Sequence, residues 1–282
     1  MAGLLDLGYI GFYATGAYSV AVFGSPDSDL NTKYPWVVCI PIAIAISMLA
    51  GVILGGPTLR LRGDYLAIVT LGFGEIIRLI AVNSSLLQGQ RGIRQIPRPP
   101  GKHSDGLPLF GVLDAKPYYW LVLTIIVLVI LAVRNLERSR VGRSWLAIRE
   151  DEDAAALMGV PTFQFKLWAF AIGAAIGGLS GALFASKQGF INSDSFALFT
   201  SILFVAAVVL GGSGNLIGVI VGAILVSYLT ERFRGFQEYR YLVFGLALVT
   251  LMIFRPQGLI PNRRRAAEIA EGEEGAMPGV TS

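Results

Sequence analysis

Long stretches without a single charged side chain constrain this chain more than any other feature. No Asp, Glu, Lys or Arg occurs in residues 7–26, 34–59, 117–133, 167–186 and 195–230. A charge at the centre of a bilayer costs about 2.5–3.5 kcal/mol on insertion scales, and one helical crossing takes about 20 mostly apolar residues. Each stretch therefore predicts membrane-spanning helix.

Three further observations raise the predicted number of crossings to eight. The stretch 195–230 is too long for one crossing and is interrupted at 211–215 by the turn-forming sequence Gly-Gly-Ser-Gly-Asn, so it predicts two helices. Residues 241–254 form a shorter apolar run, and 64–82 form a run that contains Glu75 and Arg78. We expect an all-α polytopic membrane protein with about eight transmembrane helices.

Composition excludes several other classes of protein. Apolar residues make up 54% of the 282 positions and charged residues 15%, which leaves no room for a large soluble domain. The net charge of +4 suits anionic lipid headgroups, and nucleic-acid binding is not expected. Cys39 and His103 are the single cysteine and histidine, so neither a multi-histidine metal site nor a nucleophile with its base is visible. We expect no enzyme and no bound metal.

Glycines recur at helical spacing in three places. Small residues four apart let helix backbones approach closely in lipid, which predicts packed faces or, alternatively, faces that slide during transport. The chain has such a pair at Gly51 and Gly55 and two longer series at Gly173, Gly177, Gly181, Gly214, Gly218 and Gly222.

Glu75 and Arg78 are the two charged residues inside a predicted crossing. Their spacing of three places them on one helix face, where they can pair. Ionisable residues at this depth are candidates for a transport pathway, although Arg78 also suits a position at the interface. Tyr65 and Thr70, on the same segment, complete the candidate pathway set.

Two long segments connect the crossings. Residues 83–116 carry four prolines and several glycines, which rules out a continuous helix and predicts an irregular loop. Its excess of basic residues suits an acidic partner or lipid headgroups. Residues 134–166 contain an acidic run at 150–153, good helix formers at 154–158, then Gly159 and Pro161. This order predicts a short helix outside the bilayer over 150–158.

Asp153, Ala154, Ala155 and, four residues on, Gly159 resemble the cytoplasmic coupling motif of ABC importer permeases. Matching stretches surround it at 61–76, 142–159, 166–170, 177–183, 189–192 and 208–212. Over roughly residues 3–260 the chain is similar to the LivM type of branched-chain amino acid permease, in the family of LivM and LivH permeases.

The match to this family has two departures. Asp153 stands where the motif commonly has Glu, and the Ile-x-Leu-Pro ending found in many other importer permeases is absent. Relatives usually reach the stretch at 3–8 after one or two earlier membrane segments, which leaves the helix count open.

The resemblance implies a multi-pass permease in the bacterial cytoplasmic (inner) membrane. It would form the pathway with a second, LivH-like permease, above two ABC ATPase subunits and below an extracytoplasmic binding protein that delivers leucine, isoleucine or valine. The partner ATPases would bind ATP and Mg²⁺, because this chain has no Gly-x-x-x-x-Gly-Lys-Ser/Thr loop and no expected cofactor. The implied coupling residues are Arg149, Glu150, Asp151, Glu152, Asp153, Ala154, Ala155 and Gly159.

The resemblance also implies how the chain is divided. Residues 1–261 would form the transmembrane permease domain, with the coupling loop 134–166 in the cytoplasm and the loop 83–116 facing outward. Charge alone does not orient the chain, since basic residues divide eleven to ten between the two sides. The composition of 262–282 predicts a disordered cytoplasmic tail. Permeases for amides, urea or other amino acids stay open as alternatives, as does a self-sufficient secondary transporter.

Overall fold

Apolar helices dominate the computed structural model, which describes residues 7–30, 32–59, 64–101, 109–111, 115–212, 214–232 and 245. Nine α-helices and two short strands lie within these ranges. The helices are α1 (Tyr9–Gly24), α2 (Trp36–Thr58), α3 (Asp64–Asn83), α4 (Ala115–Arg138), α5 (Arg140–Glu150), α6 (Glu152–Leu157), α7 (Thr162–Gln188), α8 (Leu198–Gly211) and α9 (Leu216–Arg232). The strands are β1 (Ile93–Arg94) and β2 (Phe190–Ile191).

The predicted membrane-spanning segments coincide with helices wherever the structure describes them. Segments 7–26, 34–59, 64–82, 117–133 and 167–186 overlap α1, α2, α3, α4 and α7, and segment 195–230 divides into α8 and α9 at the expected break. Within the described residues, five spans are long and apolar enough to cross a membrane: Trp36–Thr58, Tyr65–Asn83, Ala115–Arg138, Thr162–Gln188 and Ser193–Gly211. The predicted crossing 241–254, except for Gly245, and the predicted tail 262–282 lie outside the described residues.

The chain divides into two units, residues 1–198 and 199–282. In the first unit α2 and α7 run antiparallel: Trp36 donates a hydrogen bond to Ser186 at 2.7 Å, and Gly55 faces Leu167 near the other end of both helices. In the second unit α8 and α9 share a core of Ala206, Ala207, Leu210 and Val226.

Close backbone approach holds the centre of the first unit together. A Cβ atom added to Gly181 would collide with the carbonyl oxygen of Tyr13, and one added to Gly178 would collide with Ser47. At Gly177 the same atom would meet the Phe12 Cβ at 3.1 Å. Helices α1, α2 and α7 therefore pack at a distance that only small residues allow.

Two glycines of the predicted packing series do not fit that role. Gly173 has no atom within 4 Å of its Cβ position, because its side of α7 faces open space. Gly214 lies in the turn before α9 with φ +96, a conformation that helices do not contain. Gly222 and Gly218 do lie on α9, where they contact the backbone of Ala207 and Gly211 respectively.

The helix ends of the first unit collect in two groups. At one end β1 pairs antiparallel with β2, Tyr118 donates a hydrogen bond to the Ser186 carbonyl at 3.0 Å, and Ser25 donates one to the Arg94 carbonyl. Helices α5 and α6 follow the far end of α4, and α6 precedes the start of α7. Since α4 separates them, the segment 83–101 and the α5–α6 pair lie at opposite ends of the bundle.

Candidate functional site

Helix α5 is fixed to the start of α7 by one buried tryptophan. Ser139 caps the helix by accepting a hydrogen bond from the Gly142 amide at 3.3 Å. Trp145 is 1% exposed, and its indole Nε1 donates to the Phe165 carbonyl at 2.7 Å. That carbonyl lies in the first turn of α7, so the indole joins the two helices directly.

A short helix is present within the predicted range 150–158, but it covers only Glu152–Leu157, because the acidic run is divided between two helices. Glu150 ends α5, and Asp151 has an extended backbone with φ −151 and ψ 112. Its carboxylate accepts a hydrogen bond from the Ala154 amide at 2.9 Å. Asp151 therefore begins a new helix as its N-cap, because this bond satisfies an amide that the first turn leaves free.

Helix α6 ends in two hydrogen bonds around Gly159. The Gly159 amide donates to the Ala156 carbonyl at 3.0 Å, and the Val160 amide donates to the Ala155 carbonyl at 3.1 Å. This pair defines a Schellman motif, which needs a left-handed residue at its centre. Gly159 provides it with φ +84. Caps at both ends make α6 a defined unit although it has only six residues.

An ion pair connects α6 to α7. The ammonium group of Lys166 contacts a carboxylate oxygen of Glu152, the first residue of α6. The Lys166 side chain is 8% exposed and that of Glu152 is 32% exposed. Together with the Trp145 hydrogen bond, this pair gives α5 and α6 two polar attachments to α7.

The outer surface of α6 is apolar at its tip. Leu157 and Met158 are 89% and 86% exposed. The two alanines of the motif differ in exposure: Ala154 is exposed, whereas Ala155 is buried within its own chain. Of these two alanines, only Ala154 presents its side chain at the surface of this chain. The remaining predicted coupling residues Arg149, Glu150, Asp151 and Asp153 are exposed.

The predicted pathway residues on α3 do not form one cluster. Arg78 and Glu75 pair through three hydrogen bonds of 2.5–3.0 Å, as their spacing predicts. Thr70 is fully buried, where its hydroxyl donates to the Ala67 carbonyl and accepts from the Leu7 amide. Tyr65 is 72% exposed. Among the described residues, no group of three or more His, Cys, Asp or Glu side chains is placed to hold a metal ion.

Several apolar helices that are long enough to cross a membrane define the class of multi-pass membrane proteins. Residues 1–252 match the family model described as branched-chain amino acid transport system / permease component. The chain belongs to this family. It is a multi-pass protein of the inner membrane.

Curated relatives agree with the family model. The chain is 41% identical to the high-affinity branched-chain amino acid transport system permease protein LivM of Salmonella typhimurium, over 97% of this chain and 67% of that protein. It is equally identical to LivM of Escherichia coli, over 96% of this chain and 67% of that protein. The probable LivM permease of Methanocaldococcus jannaschii is 27% identical over 89% of this chain and 74% of its own length. No solved structure matches.

Sequence reasoning missed three residues of this site. Lys166 has a detectable signal, since it interrupts the apolar run Phe165, Leu167 and Trp168 and must find a partner or reach water. Trp145 has a weaker one, as an aromatic residue in an otherwise polar helix. The exposure of Leu157 has no sequence signal, because it depends on which face of α6 packs against α5 and α7.

Proposed function

We propose that the chain is the membrane subunit of an ATP-driven importer for branched-chain amino acids. It would form the translocation pathway with a second permease of the LivH type, take its energy from two separate ABC ATPases, and receive substrate from an extracytoplasmic binding protein. The names of its relatives support the substrate class. The observation that carries the coupling role is α6, a short helix capped at both ends that presents Leu157 and Met158 to its surroundings.

The attachments of α6 support a mechanism for coupling. An ATPase groove would enclose the exposed tip of α6 and bury its two apolar side chains. Movement of α6 would then reach α7 through the Glu152–Lys166 pair and through the Trp145 bond to Phe165. Because α7 packs at backbone distance against α1 and α2, a displacement of its start would move the centre of the bundle as a unit.

The same proposal orients the chain. The end that carries α5 and α6 would face the cytoplasm, and the segment 83–116 would face outward. Residues 1–261 would form the permease domain with about eight crossings, and 262–282 a cytoplasmic tail. The chain itself would bind no cofactor and hydrolyse no ATP, leaving ATP and Mg²⁺ to the ATPases.

We propose the Glu75–Arg78 pair as the part of α3 that meets the pathway. The side chains of Glu75 and Arg78 are 35% and 27% exposed, and the other charged residue of α3, Asp64, lies at the start of the helix. A mutual pair lowers the cost of keeping two charges at that depth. Tyr65 is accessible for the same role. Thr70 would shape the pathway indirectly, through its bond to Leu7.

The test is uptake by the complete transporter reconstituted in liposomes with ATP inside. We expect leucine uptake that depends on ATP and on all three partners, namely the second permease, the ATPases and the binding protein. Isoleucine and valine should inhibit this uptake more strongly than amides or urea. Uptake by this chain alone without ATP would instead indicate a secondary transporter.

One variant pair tests the role of α6 in that assay. Leu157→Asp adds a charge at an exposed position, so the fold should persist while the ATPases dissociate and uptake is lost. Leu157→Met keeps an apolar side chain and should retain both. Equal uptake by the two variants would contradict docking through the tip of α6.

A further inference from the structure

The outward end of the bundle has a polar depression between two loops. One cavity of about 530 Å³ and one of about 400 Å³ both have Asp27, Gln88 and Arg91 in their walls. Asp29 and Val82 line the first, and Arg94 lines the second. Their sizes lie within the range of about 300–1,000 Å³ that small-molecule sites occupy.

Charges of both signs line this depression without neutralising one another. In the part of the chain that the structure describes, no ion pair joins the carboxylates of Asp27 or Asp29 to the guanidinium groups of Arg91 or Arg94. A surface that binds one macromolecule by charge usually presents one sign to the opposite sign. Each of the two cavities has at least one carboxylate and one guanidinium group in its wall, since Asp27 and Arg91 line both, and such a lining suits a small ligand that carries both charges.

Hydrogen bonds hold Asp27 in place, and a ring contact holds the Arg94 side chain. The Asp27 amide donates to the Ser25 hydroxyl at 3.0 Å, and the Asp27 carboxylate accepts from the Arg94 amide at 3.2 Å. The Gln88 side chain donates to the Asp27 carbonyl. The Arg94 guanidinium lies over the Phe190 ring, 5.8 Å from its centroid, which holds the cation by its attraction to the ring face.

We propose that this depression is a receiving site for a free α-amino acid in its zwitterionic form. The ligand carboxylate would bind Arg91 and Arg94, and its ammonium group would bind Asp27 and Asp29. Val82, half-buried in the wall of the larger cavity, would contact a short aliphatic side chain. The identity of the amino acid rests on the proposed function, whereas recognition of the two charges rests on the lining residues.

The experiment measures leucine binding to the purified transporter complex without its binding protein, by saturation-transfer NMR. Leucinamide lacks the carboxylate and N-acetylleucine lacks the ammonium group, so each should compete at least tenfold more weakly than leucine. Asp27→Asn keeps the acceptor for the Arg94 amide while removing the charge, and Arg91→Gln removes one cation. Each variant should weaken leucine binding about tenfold or more. Lys187→Gln, an exposed cation at the same end, should leave it unchanged.

Two results would overturn the proposal. Equal competition by leucine and both analogues would exclude recognition of the two charges, as would leucine binding that is unchanged in both variants. The affinity of the complex for the binding protein is measured separately. If the variants weaken that affinity and leave leucine binding unchanged, the depression is a protein-docking surface. Failure of the wild-type transporter to take up leucine with ATP and all partners would reject the proposed function separately.

Discussion

Lys166 and Glu152 form an ion pair in which the cation is buried and the anion is partly exposed, with side-chain exposures of 8% and 32%. The two residues are fourteen positions apart and belong to different helices. Unequal burial makes the pair asymmetric, because a buried charge that loses its partner costs far more than an exposed one.

This asymmetry predicts unequal effects of the two single variants. Glu152→Ala leaves the Lys166 ammonium group buried without a partner, and we expect a loss of about 3 kcal/mol in unfolding free energy. Lys166→Met leaves a carboxylate that water can reach, and we expect a loss of about 1 kcal/mol. Thermal unfolding in detergent compares the two.

Coupling gives a second measurement on the same pair. Lys166→Met should lower uptake per ATP hydrolysed several-fold while the protein stays in the membrane. The double variant with Lys166→Glu and Glu152→Lys exchanges the two charges and should restore part of the uptake per ATP hydrolysed. Lys187→Met, at the exposed far end of α7, is the control and should behave as wild type. A normal ratio of uptake to hydrolysis in Lys166→Met would exclude the pair from transmission.

Trp145 predicts a separable effect of one hydrogen bond. Trp145→Phe keeps a large apolar ring but removes the donor to the Phe165 carbonyl, which should cost about 1–2 kcal/mol. Trp145→Ala also leaves a cavity and should cost about 3–5 kcal/mol. Unfolding temperatures in detergent would rank the variants, and equal losses for Phe and Ala would show that the hydrogen bond carries the whole effect.

Two glycines of α7 predict opposite responses to the same substitution. Gly181→Ala places a methyl group against the Tyr13 carbonyl, so α1 must move away, and we expect a loss of about 3 kcal/mol or failure to assemble. Gly173→Ala meets no atom within 4 Å and should be neutral or stabilising by up to about 1 kcal/mol. The yield and unfolding temperature of both proteins in detergent check this. Equal behaviour would mean that α1 and α7 do not touch at Gly181.

The membrane helices follow from the sequence because one physical effect decides their placement. A charge is so costly in lipid that gaps between charges predict the ends of α2, α4 and α7 to within several residues. The apolar run at 64–82 also predicts α3, although it contains Glu75 and Arg78. No single effect of that size determines where helices begin and end in the segment that forms α5 and α6. There the break at Asp151 depends on one side-chain bond to the Ala154 amide, which competes with continued helix by about 1 kcal/mol.

Tertiary contacts explain what the sequence left open at the candidate site. The acids at 150–153 look alike in sequence, yet Asp151 caps α6 whereas Glu152 contacts buried Lys166. Likewise Ala154 and Ala155 are chemically identical, and only the packing of α6 decides that one is exposed and the other buried. Identical side chains acquire different roles because a helix turns about 100° per residue.

Gly159 predicts that backbone conformation, and not side-chain size, limits substitution at the end of α6. Its φ is +84, and no atom lies within 4 Å of the position a Cβ would take. Gly159→Ala and Gly159→Leu should therefore be similarly destabilising, by about 1–2 kcal/mol, because both meet the same left-handed penalty and neither meets a neighbour.

Gly159→Asn provides the matched control, because asparagine tolerates the left-handed conformation better than other residues with a side chain. We expect Asn to retain most coupling, and Ala and Leu to uncouple ATP hydrolysis from uptake, since a frayed α6 transmits less motion to α7. The ratio of leucine uptake to ATP hydrolysis in liposomes measures this. A graded loss that follows side-chain volume, with Ala close to wild type, would show that a partner surface packs against Gly159 and that its φ is not the constraint.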